Sequence, residues 1–289
     1  MGDLDALRAR LAELGSVVVA WSGGVDSSLV AHQAADVLGD RAVAVTAVSA
    51  SLPAEELDTC RRIAAEWGMR WEPVDTDELQ NAAYRANGPD RCFHCKTALM
   101  DQLEPVAAAY GDATVVLGVN LDDLGEHRPG QQAASGRGAV FPLVDAGFTK
   151  EDVRQTARRL GLEMWDKPAA ACLASRVPYG TPVTFGTLDK VAMAERGLRA
   201  LGFAQLRVRH YGDLARLELD GDELARAVEQ REAVVAAVKA AGYSYVTLDL
   251  EGFRSGNLNQ RIGAGRRLLS VTAGAAPDAG PGIPVGPGR

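Results

Sequence analysis

Residues 18–36 read VVVAWSGGVDSSLVAHQAA: an apolar run passes into two glycines, an aspartate and two serines, then turns at once into a helical pattern. This junction constrains the fold more than any other stretch, because a strand feeding a tight glycine turn and a helix opens a parallel βα unit. Gly23 and Gly24 let main-chain N–H groups approach a ligand with no Cβ in the way. Ser22, Ser27 and Ser28 add hydroxyls, and a helix starting near Asp26 turns its unpaired amides and positive dipole end to the same spot. Phosphate is the anion such a place suits. The string is neither G-x-x-x-x-G-K-[ST] nor G-x-G-x-x-G, so the usual mono- and dinucleotide fingerprints do not apply. The competing reading is a plain helix N-cap after a glycine turn.

Further β-branched runs at 41–48, 69–74 and 113–119 join the first at 16–21 and alternate with helical patterns at 27–38, 54–67 and 96–110. That is the order of successive βα units in a parallel sheet, so the expected class is α/β. Ligands of such sheets collect beyond the carboxyl ends of the strands, where strand order reverses. The glycine turn, TAVSASLP after the second run and GVNLDD after the fourth are therefore expected at one rim. A helix at 150–160 leads into WDKPAAACLASRVPYGTPVTFG, which has neither helical nor strand period. An ordered loop this long is usually functional or mobile. A helix at 188–201, strands at 205–210 and 215–219, a helix at 222–240 and a strand at 243–248 suit a smaller C-terminal α+β domain. The expected boundaries are 1–165, a catalytic loop and linker at 166–186, the small domain at 187–262, and a disordered Gly/Pro/Ala tail at 273–289.

A chain of 289 residues, 47% hydrophobic, has material for a sizeable core and a lesser one. Its net charge of −7 weighs against a general grip on nucleic acid without excluding a local basic groove. No apolar run approaches the roughly 20 residues of a membrane span, and the first residues lack a signal-peptide core, so the cytoplasm is the expected location. Four cysteines are not a disulfide framework in a chain of this size. Cys92 and Cys95 form a C-x-x-C pair, while Cys60, read as a small buried residue, and Cys172 stand apart.

The string AWSGGVDSSLVA resembles the PP-loop, SGG-x-D-S, of the ATP pyrophosphatases. The resemblance implies a Rossmann-like, adenine-nucleotide α-hydrolase-like sheet. It also implies cleavage of ATP between its α and β phosphates, adenylation of a substrate oxygen and release of pyrophosphate. Ser22, Gly23, Gly24, Asp26, Ser27 and Ser28 would then cradle ATP, with Mg²⁺ neutralising the leaving group and Asp26 counted among the catalytic residues. The PP-loop does not choose the substrate, because amide-forming synthetases, tRNA-thiolating enzymes and small-molecule sulfur transferases share it. RCFHCKTALM, LGVNLDDLGEHRPG, PAAACLASRVPYG and YVTLDLEGFRSGNLN together resemble the LarE family, the pyridinium-3,5-biscarboxylic acid mononucleotide sulfurtransferases, from the first strand to about Asn259. That likeness implies adenylation of a carboxylate of the pyridinium dicarboxylate mononucleotide. Sulfur then attacks, AMP leaves, and the step is repeated on the second carboxylate. A downstream nickel-insertion protein and assembly as a homo-oligomer, often a hexamer, are further implications, with no membrane or nucleic-acid partner expected.

Cys172, in AACLASR, matches the position whose sulfur is sacrificed in one LarE subgroup, leaving dehydroalanine. With Cys92 and Cys95 the pattern resembles the other subgroup, in which three thiolates hold a [4Fe-4S] cluster and leave one iron open to a sulfide. The sulfide donor is not specified by either. A zinc site using the same cysteines and a fourth ligand such as His94, or a Cys92–Cys95 redox disulfide, are alternatives. Ser175 and Arg176 of SRVPYG, Arg207 and Arg209, which alternate on one strand face, and Arg254 are the candidate substrate-binding residues. Glu195 is placed near the reaction centre by resemblance alone. Asn120, Asp122 and Asp123 at the rim suit nucleotide or Mg²⁺, or plain helix capping. His32 and His210 are read as structural. Among rival functions, a tRNA-thiolating enzyme fits the PP-loop but not the acidic charge. An amide-forming synthetase has no use for three thiolates, and a non-enzymatic ATP-binding or cluster-sensing protein has no need of an intact SGG-x-D-S.

Overall fold

The computed structural model describes residues 2–125, 129–168 and 171–254. The 273–289 tail and residues 255–262 of the expected small domain lie outside that set. The chain opens with α1 (Leu4–Leu14), capped by Asp3, whose carboxylate accepts from the Asp5 and Ala6 amides. Then come β1 (Val17–Ala20), α2 (Val25–Leu38), β2 (Ala42–Val48), α3 (Ala54–Glu66), β3 (Trp71–Asp75), α4 (Ala82–Arg85), α5 (Arg91–Ala109) and β4 (Thr114–Leu117). They are followed by α6 (Pro129–Ser135), α7 (Pro142–Asp145) and α8 (Lys150–Arg159).

The four strands form one parallel sheet in the order β3-β2-β1-β4, with Val17 level with Ala42 on one side and Thr114 on the other. Strand β1 is central and apolar on both faces, as a parallel strand covered by helices must be. Val17 and Val19 face a core with Leu7, Leu29, Ile63 and Phe148, while Val18 faces another with Met100, Leu103 and Val115. The chain leaves β3 at one edge and returns beside β1 as β4, so strand order reverses between β1 and β4 and a crevice opens at their carboxyl ends.

Beyond the long loop lie α9 (Phe185–Ala200), β5 (Leu206–Tyr211), β6 (Leu214–Leu219), α10 (Leu224–Glu229), α11 (Arg231–Ala240) and β7 (Tyr245–Leu248). The second sheet is ordered β5-β6-β7, antiparallel in its first pair and parallel in its second. Leu198, Phe203, Val208, Leu217 and Val238 make its core. Both sheets belong to one compact unit, Met1–Phe253, and Arg254–Arg289 forms the other. Among the described residues no helix is long and apolar enough to cross a membrane.

Two elements differ from expectation. Helix α5 begins at Arg91 instead of residue 96, which puts Cys92 and Cys95 on its first two turns. The cause is tertiary: the buried Arg91 guanidinium donates to Asn87 Oδ1 at 2.6 Å and to the Ala174 carbonyl at 2.8 Å, anchoring the helix start. The expected helix over 222–240 is two, broken at Gln230, and no residue in the sequence marks that break.

Candidate functional site

The turn after β1 is built from the strand outward. The Trp21 carbonyl accepts from Thr46 Oγ1 at 2.9 Å, and the Trp21 indole donates to Ser28 Oγ at 2.9 Å. Gly23 has φ +71°, and a Cβ there would lie 2.9 Å from Cys60 Sγ, so both backbone and space require glycine. Ser27 Oγ accepts from the Ser22 amide at 3.2 Å and donates to the Gly24 carbonyl at 3.1 Å, stitching the turn to α2. The hydroxyls of Ser27 and Ser28 are thus buried and engaged, whereas Ser22 is exposed. What the turn presents is the Ser22 side chain, the amides of the glycines and the N-terminus of α2.

The other lip follows β4. A Cβ on Gly118 would lie 2.5 Å from the Ser27 nitrogen, so the two loops touch through backbone. Asn120 Nδ2 donates to Asp26 Oδ1 at 2.9 Å, its amide donates to Asp123 Oδ2 at 3.1 Å, and its Oδ1 accepts from the Asp122 amide at 3.0 Å. Asp122 Oδ2 in turn accepts from the Lys150 amide at 2.7 Å, and Lys150 Nζ pairs with Asp26 Oδ2. Asp26, Asn120, Asp122, Asp123 and Lys150 therefore form one polar ring at the strand-order reversal. Lys167 Nζ donates to the Gly23 carbonyl at 3.3 Å and pairs with Glu56. Sequence reasoning missed both lysines and Gly118. Lys150 did carry a signal, since a cation in the first turn of a helix opposes the dipole.

Cys172 precedes a short 3₁₀ turn, Leu173–Arg176, hooked to the turn after β2 by the Leu173 amide donating to the Ser51 carbonyl at 2.8 Å. Arg176 is 2% exposed, and its Nε and Nη2 grip both oxygens of Glu195 at 2.8 and 3.0 Å. Its Nη1 donates to the Cys172 carbonyl and Ser175 Oγ, each at 3.1 Å, and to the Ala171 carbonyl. Glu195 is fully buried and also accepts from Arg199 Nη2 and the Val208 amide, each at 3.1 Å. Burial pushes the Glu195 carboxyl up, but the Arg176 hydrogen bonds and charge outweigh it and hold it below the ordinary 4.5. Arg209 is clamped by Glu218 at 2.7 Å and donates to the Ser175 carbonyl at 2.9 Å. Arg176, Glu195 and Arg209 thus brace the Cys172 turn from inside.

Arg207 shares the cleft face. Together with Lys167, Arg176, Arg199, Glu56 and Phe253 it lines a cleft of about 160 Å³. Its guanidinium lies 5.1 Å from the Phe253 ring, and burial, with Arg176 next, pushes its pKa down to about 10. Such crowding of like charge suits a site that receives an anion. Arg254 is half-buried and is the first residue of the other unit.

Cys92 is exposed, while Cys95 and Cys172 pack against one apolar cluster that includes Leu79, Tyr84, Leu173 and Val183. Burial pushes Cys95 up to about 12, with the charge of Cys172 the next cause, and the charges of Cys172 and Cys92 both act on Arg91. The three cysteines therefore share a neighbourhood. Among the described residues no three His, Cys, Asp or Glu side chains converge closely enough to hold a metal ion, and His94 turns instead to Asp90 at 3.3 Å. Cys60 lies apart, against the Gly23 turn, its thiol pushed up to about 11 by burial. His32 packs edge-on against Trp67, and His210 Nδ1 lies 3.1 Å from Tyr243 Oη.

The family model for NAD synthase matches residues 4–102, the stretch from α1 into α5. An uncharacterized protein of Synechocystis is 47% identical over 259 residues, 89% of this chain and 97% of that protein. The pyridinium-3,5-bisthiocarboxylic acid mononucleotide synthase of Lactiplantibacillus plantarum is 40% identical over 257 residues, 89% of this chain and 93% of that protein. The tRNA-specific 2-thiouridylase MnmA of Rickettsia felis is 27% identical over 191 residues, 53% of this chain and 52% of that protein.

Proposed function

Since the chain belongs to the LarE family of PP-loop, ATP-dependent sulfurtransferases, we propose that it converts the carboxylates of pyridinium-3,5-biscarboxylic acid mononucleotide to thiocarboxylates. One observation carries the reading. A single cleft has Lys167, bonded to the PP-loop, beside the crowded Arg207 and Arg199, with the Cys172 turn tied to it through Arg176.

In this reading the amides of the Gly23–Gly24 turn and the start of α2 hold the pyrophosphate of ATP. Lys150 and Lys167, now paired with Asp26 and Glu56, add positive charge as the leaving group departs. Asp26 and Asp123 offer carboxylate oxygens of the kind Mg²⁺ takes with phosphates. Arg207 grips the phosphate of the mononucleotide in the cleft it shares with Lys167, Arg176 and Arg199. The substrate carboxylate attacks the α-phosphate and pyrophosphate leaves. Sulfur then attacks the acyl carbon and AMP leaves. Glu195 and Arg176 act by holding the Cys172 turn in place.

For the sulfur source, the donor set fits a [4Fe-4S] cluster in kind: three cysteines, two on one apolar floor, close enough that their charges bear on one another. Cys92, Cys95 and Cys172 would hold it, and three thiolates leave one iron to carry a sulfide, so that no residue of the chain is consumed. A second reading, sacrifice of the Cys172 sulfur without a cluster, is favoured by the lack of a converged metal group among the described residues. Thiolation of tRNA is the weaker rival, since the likeness to the 2-thiouridylase spans 53% of this chain.

The test is iron and acid-labile sulfide per chain after anaerobic purification, on wild type and on Cys92→Ala, Cys95→Ala and Cys172→Ala, alongside pyrophosphate release with ATP and the pyridinium dicarboxylate. About four of each per wild-type chain, lost in every variant, is the expected result. Absence of iron with Cys172 alone essential and converted to dehydroalanine establishes the second reading. No substrate-dependent pyrophosphate release overturns the activity itself.

A further inference from the structure

Asn87, between α4 and α5, is fully buried and holds a backbone φ of +56°, which asparagine tolerates better than most residues. Its polar groups engage one distant stretch of chain. Nδ2 donates to the carbonyls of Pro178 at 2.9 Å and Thr181 at 2.8 Å, and more loosely to that of Val177 at 3.3 Å. Its own carbonyl accepts from the Gly180 amide at 3.0 Å. Asn87 Oδ1 accepts from Arg91 Nη1 at 2.6 Å, and the same nitrogen donates to the Ala174 carbonyl at 2.8 Å. Arg91 opens α5 just before Cys92, and Ala174 follows closely on Cys172. Asn87 and Arg91 thus clasp the helix that carries Cys92 and Cys95 to the segment that carries Cys172.

Other bonds of the Cys172 turn run elsewhere. The Leu173 amide goes to the Ser51 carbonyl, while the Cys172 and Ser175 carbonyls accept from Arg176 and Arg209. These set the turn against the end of β2 and the second sheet, and leave its spacing from α5 to the clasp. The Arg85 carbonyl adds one bond at the far end of the segment, from the Val183 amide at 2.9 Å. Arg91 is 5% exposed, and among the described residues it forms no ion pair with a carboxylate. Burial pushes its pKa down, but the charges of Cys172, then Cys92, Tyr179 and Tyr84 outweigh that, and the Tyr179 ring lies 5.5 Å from the guanidinium. Both cysteine-bearing segments therefore lie within electrostatic reach of the clasp.

We infer that Asn87 and Arg91 are positioning residues for sulfur transfer: their clasp holds the Cys172 turn against the first turn of α5, so that the three thiols can meet at one small centre. The inference rests on the sulfur-transfer reading. None of the bonds of the clasp reaches the PP-loop, so its loss falls on delivery of sulfur more than on cleavage of ATP.

The test uses the full chain, freed of iron with a chelator and reduced, with arsenite as probe. Arsenite condenses with up to three neighbouring thiols, each As–OH giving As–S with release of water, and so asks whether the sulfurs can reach one atom. Iodoacetamide labelling and mass spectrometry then report which cysteines it shields. Wild type should shield Cys92, Cys95 and Cys172 together. Asn87→Gly keeps the backbone conformation and removes the side chain. It should still shield Cys92 and Cys95, which share one helix, while Cys172 is labelled about tenfold faster, as the loss of roughly one net hydrogen bond implies. Arg91→Lys keeps the charge on a shorter side chain and should move Cys172 the same way by less. Buried Cys60 gauges folding and should stay unlabelled throughout. If Asn87→Gly is labelled at Cys60, Arg91→Lys decides alone. Labelling of Cys60 in both variants marks a general prop of the fold and overturns the inference, as does equal loss of shielding at all three cysteines, which marks a mere cap of α5. A wild type that leaves Cys172 unshielded, or variants that shield it fully, also overturn it. The thiocarboxylate formed per pyrophosphate released should fall in step with Cys172 shielding, and an unchanged ratio removes the clasp from the transfer. Wild-type pyrophosphate release with ATP and the pyridinium dicarboxylate tests the underlying activity separately: its absence beside selective loss at Cys172 sinks that reading and leaves the clasp standing.

Discussion

Glu195→Gln is the most informative single perturbation, because it keeps the shape of a fully buried side chain and removes only its charge. Glu195 receives two hydrogen bonds from Arg176, one from Arg199 and one from the Val208 amide. The amide can accept through one atom only, so two of these four donors lose their acceptor and the buried Arg176 loses its counter-ion. Breaking a buried pair in this way costs about 3–5 kcal/mol. In a cooperative unit the size of Met1–Phe253, about 2–4 °C of Tm per kcal/mol gives an expected loss of roughly 6–20 °C at neutral pH.

The pH dependence has a definite sign. The folded pKa of Glu195 lies below its ordinary 4.5, so its contribution is complete above that value and is lost as pH falls through the lower folded value. The gap between wild type and Glu195→Gln should be constant from about pH 8 to pH 5 and narrow below, where wild type becomes protonated too. Urea denaturation at several pH values measures it. A gap under about 1 kcal/mol at pH 7, or one that does not narrow in acid, refutes the assignment of Arg176–Glu195 as the brace of the Cys172 turn. The double variant Arg176→Met/Glu195→Met should recover much of the stability, since apolar pairs replace buried ion pairs at little cost, while turnover stays low because the Arg176 bonds to the Ala171 and Cys172 carbonyls are gone.

Lys167→Met removes a half-buried ammonium paired with Glu56, so stability should change by no more than about 1 kcal/mol, whereas pyrophosphate release should fall by about 10²–10³. Equal losses in both would remove the lysine from the reaction. Gly118→Ala places a Cβ 2.5 Å from the Ser27 nitrogen and should cost about 1–3 kcal/mol while raising KM for ATP, a pattern that a fold-neutral variant with unchanged KM would contradict. Cys60, pushed up to about 11 by burial, should resist iodoacetamide at pH 8 in the folded chain and react once unfolded in urea. Mass spectrometry of the digested chain reads this, and rapid labelling of native Cys60 would show that the thiol is not sealed beneath the Gly23 turn.

What the sequence determined by itself is the local backbone chemistry. The strand, glycines and helix start of 18–36 are encoded within a few consecutive residues, because φ freedom, β-branching and helix period act over that range. The alternation of βα units followed from the same short-range signals, as did the pairing of Cys92 with Cys95 on one short stretch. Tertiary structure alone decided which side chains complete the site. Asn120 reaches Asp26 across 94 residues, and Lys167 reaches the Gly23 carbonyl across 144. Lys150 and Lys167 look like ordinary surface lysines until the reversal of strand order and the long loop bring them to the turn. The family resemblance puts Arg176 among the substrate-binding candidates and Glu195 near the reaction centre, and the fold buries the two as each other's partner. Which charge neutralises which depends on closing long loops onto a packed core, and no local pattern of residues records that outcome.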